Sequence, residues 1–290
     1  MEKAKVYFTK TITPEAMVQL YEVIGKKLTG KIAVKLHSGE VGNQNFLRPE
    51  FMKPMIDHVK GTIVESNTAY DGERNTTDKH WKTMEVHGWS EIAPVDILDE
   101  DGDLELTVSG GKQIDKNYVG SHLTKYDAML VLSHFKGHPM GGFGGALKNI
   151  SIGIASSHGK AYIHGAGKPE EMWTADHDAF LESMADASKS ILEYFKGEMV
   201  FINVMKNMSV DCDCCAKAED PKIQDIGILA SLDPVALDQA CLDLVYQSED
   251  EGKKDLIERI ESRNGKHTVD AASEIGVGSQ AYELIDIDEK

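Results

Sequence analysis

Ala128-Met129-Leu130-Val131-Leu132 runs straight into Ser133-His134-Phe135-Lys136-Gly137-His138-Pro139-Met140-Gly141-Gly142-Phe143-Gly144-Gly145-Ala146-Leu147-Lys148-Asn149. The apolar run reads as a buried strand. The segment beyond it is dense in chemistry: two histidines, two lysines and five glycines fall between His134 and Lys148. Paired glycines let a backbone turn sharply and approach a ligand closely. Their N–H groups can form a concave anion site. Histidine brings a neutral nitrogen ligand or a proton-transfer group. Lysine brings a cation or, when desolvated, a nucleophilic amine. A buried strand ending in such a loop is the layout of α/β proteins, whose ligands collect outside the carboxyl ends of strands.

Working outward, strand and helix patterns alternate. Ile32-Ala33-Val34-Lys35-Leu36, Gly61 to Ser66 and Glu198 to Met205 read as strands. Thr13-Pro14-Glu15 and Asp233-Pro234 carry helix starts: a capping oxygen followed by proline at the first helical position. Asp176 or Asp178 opens a long helix that Gly197 stops. The expected class is α/β, a mixed or mainly parallel sheet flanked by helices, with a β-rich excursion near 92–119. Residues 1–290 are expected to form one unit, with two lobes meeting near 120–165 as the alternative. Asp99 to Asp103 reads as a charged turn, since it lacks the ligand spacing of a calcium loop.

The chain has 290 residues, 41% hydrophobic and 27% charged, with a net charge of −17. That charge repels phosphate backbones and anionic lipid, so neither nucleic acid nor a membrane is an expected partner. No run has the length of a signal peptide or a membrane span. Four cysteines, three of them clustered, do not make a secreted disulfide framework, and the expected compartment is the cytoplasm.

The glycine stretch matches neither the Walker nor the dinucleotide pattern, because Lys148 is followed by Asn149 and position 147 is Leu147. Gly141, Gly142, Gly144, Gly145, Lys148 and Asn149 are therefore candidates for a different anion or cofactor cradle. His37 joins them from the loop after the Ile32–Leu36 strand. His134, His138 and Lys148 are the candidate catalytic groups. His122, His134, His138, His158 and His164 crowd into 43 residues, and convergence at strand ends would make a metal or proton-transfer site, with His164 as a candidate ligand. Asp211-Cys212-Asp213-Cys214-Cys215 offers three thiols to a soft metal or an iron–sulfur cluster. The flanking aspartates are expected to raise those thiols' pKa values. Cys241 reads as core.

These motifs carry a resemblance. His37-Ser38-Gly39-Glu40-x-Gly42-Asn43, Ser133-His134-x-Lys136-x-His138, Gly144-Gly145-Ala146-x-Lys148-Asn149, Cys212-x-Cys214 and the run from Asp225 to Asp238 resemble the domain of unknown function 362 family. That family is often associated with iron–sulfur or ferredoxin proteins, and the resemblance implies a redox partner. The ferredoxin-like insert of many members is absent here, since no cysteine lies between His164 and Cys212. A local stretch is also similar to lactate racemase and its relatives, which use a nickel-pincer nucleotide tethered to a lysine. That resemblance implies Lys148 as the tethering amine, His164 as the nickel ligand and His138 as an acid/base group. It departs from the pattern by one extra residue between Gly145 and Lys148.

The sequence supports three readings. The first is an enzyme acting on a small polar or anionic molecule through the His/Lys site with a metal or cofactor. The second is a non-catalytic metal or cluster carrier built on Cys212, Cys214 and Cys215. The third is a partner-binding protein whose acidic surface is the functional part.

Overall fold

The structure, a computed structural model, describes residues 3–288. In chain order its strands are β1 Ala4–Thr9, β2 Ile32–Lys35, β3 Thr62–Glu65, β4 Val95–Ile97, β5 Asp103–Thr107, β6 Lys116–Gly120, β7 Ala128–His134, β8 Lys136–His138, β9 Gly142–Gly144, β10 Met199–Met205, β11 Gly227–Ser231 and β12 Tyr282–Asp286. The α-helices are α1 Pro14–Ile24, α2 Pro49–Val59, α3 Thr77–Val86, α4 Trp89–Ile92, α5 Ala146–Ser151, α6 Ser157–His164, α7 His177–Phe195, α8 Pro234–Gln247, α9 Lys253–Ser262 and α10 Lys266–Glu274.

Eight strands form one mixed sheet in the order β12-β1-β11-β10-β7-β2-β3-β4. The five from β10 to β4 are mutually parallel, while β11 runs antiparallel to both β10 and β1. β7 is buried along its whole length, as its unbroken apolar run requires in a parallel sheet covered on both faces. Its side chains alternate between two cores. Met129 and Val131 pack with α7, α8 and α10 on one face. Leu130 and Leu132 pack with α1 and α2 on the other.

Local chemistry sets the helix ends. Thr13 Oγ1 accepts from Ala16 N at 3.1 Å, and Gly25 closes α1 at φ 73°. Asp233 Oδ1 accepts from Val235 N and Ala236 N at 2.9 and 3.0 Å and starts α8 at Pro234. Asp176 caps α7. Each cap satisfies N–H groups that a helix leaves unpaired.

Two local expectations change. The stretch after β7 is not an open loop: it folds into the antiparallel β8–β9 hairpin and then α5. The β-rich excursion divides, with β4 completing the edge of the main sheet and only β5–β6 standing apart as a hairpin. No helix among the described residues is long and apolar enough to cross a membrane.

Candidate functional site

A cavity of about 350 Å³ opens at the carboxyl ends of β2, β3 and β7. Five cationic side chains line it: Lys35, Arg74, Lys136, Lys148 and Lys160. Three are matched by carboxylates. Lys35 Nζ lies 2.7 Å from Glu65 Oε2, Arg74 Nε 3.2 Å from Glu40 Oε2, and Lys136 Nζ 3.1 Å from Asp213 Oδ2. Burial lowers the Lys35 pKa despite its carboxylate partner. Burial likewise pulls Lys160 down to about 7; its Nζ donates to the carbonyls of Ala155 and Ser66. Lys148, on α5, lacks both kinds of partner among the described residues, the carboxylate of the first three and the carbonyls that hold Lys160. Among the described residues no carboxylate comes within salt-bridge reach of it. In a chain of net charge −17, five cationic side chains around one cavity, three of them offset by carboxylates, set it apart from the protein's overall acidity.

The histidines at the cavity are sorted by what each ring nitrogen faces. His134 has both engaged: Nδ1 lies 2.9 Å from Asp213 Oδ2 and Nε2 2.6 Å from the Lys206 carbonyl. It was expected among the catalytic groups, but neither nitrogen is left to meet a substrate; the ring braces Asp213. In His138, Nδ1 accepts from Gly141 N at 2.9 Å and Met140 N at 3.2 Å. In His37, Nδ1 accepts from Gly39 N at 3.0 Å. Both rings are thereby set with the proton on Nε2. His164 is the reverse case. Its Nδ1 donates to the Lys160 carbonyl at 2.8 Å, which leaves Nε2 as a bare lone pair. Burial holds His37 and His164 at about 4 and His138 at about 3, so all three are neutral near pH 7. A neutral imidazole anchored through Nδ1–H is the usual form of a metal ligand. His122 and His158 lie elsewhere, paired with Asp96 and Asp101, and with Asp103.

The cysteine motif wraps back onto the cavity. Cys215 N donates to the Cys212 carbonyl, and Asn43 Nδ2 holds the Cys215 carbonyl at 2.8 Å. Cys212 and Cys214 line the cavity; Cys215 does not. Donor atoms of His138, Cys212 and Cys214 lie within 4.8 Å of one another, a grouping able to hold a metal ion. Cys241 is in the core on α8, as expected. The aspartates act on the thiols only in part as expected: Asp211 pushes Cys215 up, but weakly. Asp213 is occupied by His134 and Lys136, and Asp211 accepts from Arg259 and Glu219 N. Cys215 is lowered through its bond with Cys214, against a smaller opposing effect of Asp211.

The glycine stretch was expected to cradle an anion, and it does cradle one, but from within the chain. Ala146 N and Leu147 N donate to the two oxygens of Asp238 at 2.8 and 2.9 Å, and Asn203 Nδ2 adds a third bond at 2.7 Å. Gly144 and Gly145 line the cavity, whereas Gly141 and Gly142 do not; Gly142 packs on Gly265 and Ile260. Asn149 also lines it, but its Nδ2 bonds Ser133 Oγ at 3.0 Å. A Cβ at Gly145 would sit 2.3 Å from Asp238 Oδ1, so Gly145→Ala is expected to cost about 1–3 kcal/mol. A Cβ at Gly144 would meet Lys136 Cε at 3.6 Å and Lys148 Cδ at 3.7 Å, ordinary contacts. Gly144→Ala should therefore change stability by less than about 1 kcal/mol while narrowing the gap between the two lysines. Urea denaturation of both variants checks the contrast.

Sequence reasoning missed Lys35, Glu65, Arg74 and Lys160. Lys35 carried a signal, a lone charge inside the apolar run from Ile32 to Leu36. The others come to the cavity from separate elements and carried none.

Comparison with curated proteins finds no match. Among solved structures, the chain is similar to the lactate racemase apoprotein from Thermoanaerobacterium thermosaccharolyticum, with a TM-score of 0.48 and 13% identity over 82% of this chain and 56% of that one. It is also similar to a protein from Thermotoga maritima solved by a structural genomics consortium, with a TM-score of 0.47 and 14% identity over 90% and 58%. The chain spans under two thirds of the length of either. A family model matches residues 32–243, which take in every side chain placed at the cavity, and the chain belongs to that family, Domain of unknown function (DUF362).

Proposed function

We propose that the cavity is the active site of an enzyme acting on a small anionic molecule with the help of a bound metal or cofactor. The observation that carries this reading is Lys148: Lys35, Arg74 and Lys136 are matched by carboxylates and Lys160 is held by two backbone carbonyls, whereas Lys148 has neither kind of partner among the described residues. A charge left unmatched in a partly buried site is suited to an anion brought from outside. In this reading Lys148 meets the anion or bonds covalently to a cofactor. His164 offers Nε2 to a metal, and His138 holds a proton at Nε2. A metal at His164 would supply a Lewis acid. His164 fits that role because its tautomer is already set. His138 does not fit it while its Nδ1 accepts two N–H groups.

The second reading, a soft-metal carrier, is favoured by the closeness of Cys212 and Cys214, with His138 joining as a ligand only if its ring releases the Met140 and Gly141 N–H groups. A four-cysteine cluster within one chain is closed to it, because Cys241 is enclosed in the core.

Lys148→Ala and Lys148→Arg separate the cases. With a covalent cofactor, protein from its native host carries a mass adduct that both variants lose, since a guanidinium is a poor nucleophile. With a purely electrostatic role the mass is unmodified. Calorimetry with phosphate and small carboxylates should then show binding weakened about tenfold or more in Lys148→Ala and less in Lys148→Arg. An unmodified native mass together with unchanged binding in Lys148→Ala removes the proposal.

A further inference from the structure

We infer that the cavity takes a carboxylate carrying an aromatic or branched hydrocarbon group, and that Trp173 is the residue that selects for that group. The inference rests on the anion site proposed above and narrows its ligand from any small anion to an organic acid with an apolar body.

The cavity has two kinds of wall. Lys148 and the other cations make one. The other is apolar: Pro139, Met140, Ile152, Met172 and Trp173. Ile152 belongs to a small core with Phe180, Leu181 and Met184, and Met140 packs against that core. Packing therefore fixes this part of the wall. An inorganic ion such as phosphate gains nothing from it, because hydrocarbon would replace water around a charge. An apolar group gains in proportion to the area it covers. The volume, about 350 Å³, is that of a site for a whole organic molecule.

Trp173 is the part of this wall that packing leaves uncovered. Six large apolar side chains are exposed among the described residues, and Trp173, at 64%, is the most exposed. It is also the one of the six that lines the cavity. Isolated apolar residues on a surface need no explanation. An indole at the mouth of a cavity with an unmatched lysine offers a ligand both an apolar face and a charge.

The chain around it is built to hold the ring there. Gly165 N donates to the Ala161 carbonyl at 2.9 Å at the end of α6, and Ala166 and Gly167 turn the backbone at φ 48° and 93°. A short 3₁₀ turn, Pro169–Glu171, follows. The Glu171 carbonyl then accepts from both Thr174 N and Ala175 N at 2.8 Å, and Asp176 caps α7 directly afterwards. Met172 and Trp173 are the two central residues of the turn closed by the Thr174 bond. A ring held in place beforehand costs less to order when a ligand arrives. Indole also supplies one of the largest apolar faces of any side chain.

Propionate, 3-phenylpropionate and 3-phenylpropionamide are the probes. Each is titrated into the full-length protein as purified, at constant ionic strength, by calorimetry and by tryptophan emission. The phenyl acid is expected to bind about tenfold or more tighter than propionate in the parent. Trp173→Ala should cut that ratio to about threefold or less, and Trp173→Phe, which keeps an aromatic face, should retain most of it. The chain has three tryptophans; Trp89 is enclosed in the core and Trp81 does not line the cavity. Binding should therefore shift the emission of the parent and not that of Trp173→Phe. An exposed ring can be replaced without loss of fold, and the urea midpoint of each variant checks this.

Equal affinity for the two acids in the parent overturns the inference. So does a preference for the phenyl acid that Trp173→Ala leaves intact. In either case the anion site stands if Lys148→Ala weakens propionate. Binding of phosphate with none of the three probes also overturns the inference alone. Binding of 3-phenylpropionamide as tight as that of the acid removes the anion site, and the inference with it.

Discussion

Asp213→Ala is expected to destabilise the protein by about 3–5 kcal/mol, the usual cost of removing one partner from a buried charge pair. Asp213 is 1% exposed and its carboxylate serves two neighbours, His134 at 2.9 Å and Lys136 at 3.1 Å. Burial pushes its carboxyl group up, but His134 and Lys136 together outweigh that and hold it well below the usual carboxylate range. Alanine leaves the Lys136 ammonium buried without its acceptor and frees one nitrogen of His134. For a chain of this size the melting temperature should fall by roughly 6–15 °C. Asp213→Asn keeps the volume and removes only the charge, so its loss should be smaller. Lys136→Met placed on Asp213→Ala should recover part of the stability, since it removes the stranded cation. Denaturant midpoints at unchanged m-value measure all three. A loss under about 1 kcal/mol in Asp213→Ala would mean that the three groups do not form one ionic unit.

Asp213 stands between Cys212 and Cys214, so the same ion pairs tie the cysteine motif to the end of β7. Asp213 also accepts Glu40 N on its backbone carbonyl at 2.8 Å, which fastens the motif to the loop that carries His37.

Much of the fold was legible because its signals are local. Thr13-Pro14 and Asp233-Pro234 cap the helices they precede because a side-chain oxygen two or three residues away reaches the free N–H groups. The unbroken apolar run of β7 could only be a strand covered on both faces. The site was legible as a neighbourhood and less so as a set of roles. Lys148, His138, His164 and Cys212 do line one cavity. What the sequence could not disclose was which partner each group already has. The N–H groups of Ala146 and Leu147, just past the glycines, belong to Asp238, some 90 residues further along the chain. His134 belongs to Asp213, and Arg74 to Glu40. These pairings are made by strand order in the sheet, and residue type and spacing along one segment do not encode them. The tautomers of His37, His138 and His164 depend on single backbone N–H and C=O groups, which are fixed only once the turns are formed.

Those same histidines give the protein a predicted weakness in mild acid. His80 and His138 are buried neutral, and burial holds both at about 3. His80 Nε2 has no hydrogen-bond partner and is shut away from solvent, so protonation there would place an unpaired cation near Arg74 and Lys160. In the unfolded chain each ring titrates near 6.5. As pH falls below about 6.5 the unfolded state takes up protons that the fold refuses, and stability falls by about 1.4 kcal/mol per pH unit for each histidine. The two together lose about 5 kcal/mol between pH 6.5 and 4.5, comparable with the whole stability of many domains. His37 and His164, held at about 4, act with the same sign. Asp238 acts against them. Burial raises it to about 6 despite its bonds to Leu147, Asn203 and Ala146, so its share of stability grows as pH drops through 6. Asp233, also raised by burial, acts in the same sense as Asp238, but two carboxyl groups do not offset four rings. The depressed carboxylates Asp213 and Glu65 give up their stabilisation only below the ordinary carboxylate range, at lower pH than the histidines. Unfolding is therefore expected to set in below about pH 6 and to finish above pH 4, before those ion pairs titrate. Urea denaturation at half-unit steps from pH 7.5 to 4.5 reads the slope directly. His80→Leu should flatten it by about one proton's worth, or 1.4 kcal/mol per pH unit. A free energy of unfolding that stays level from pH 7 to pH 5 would show that these rings are not held neutral by burial.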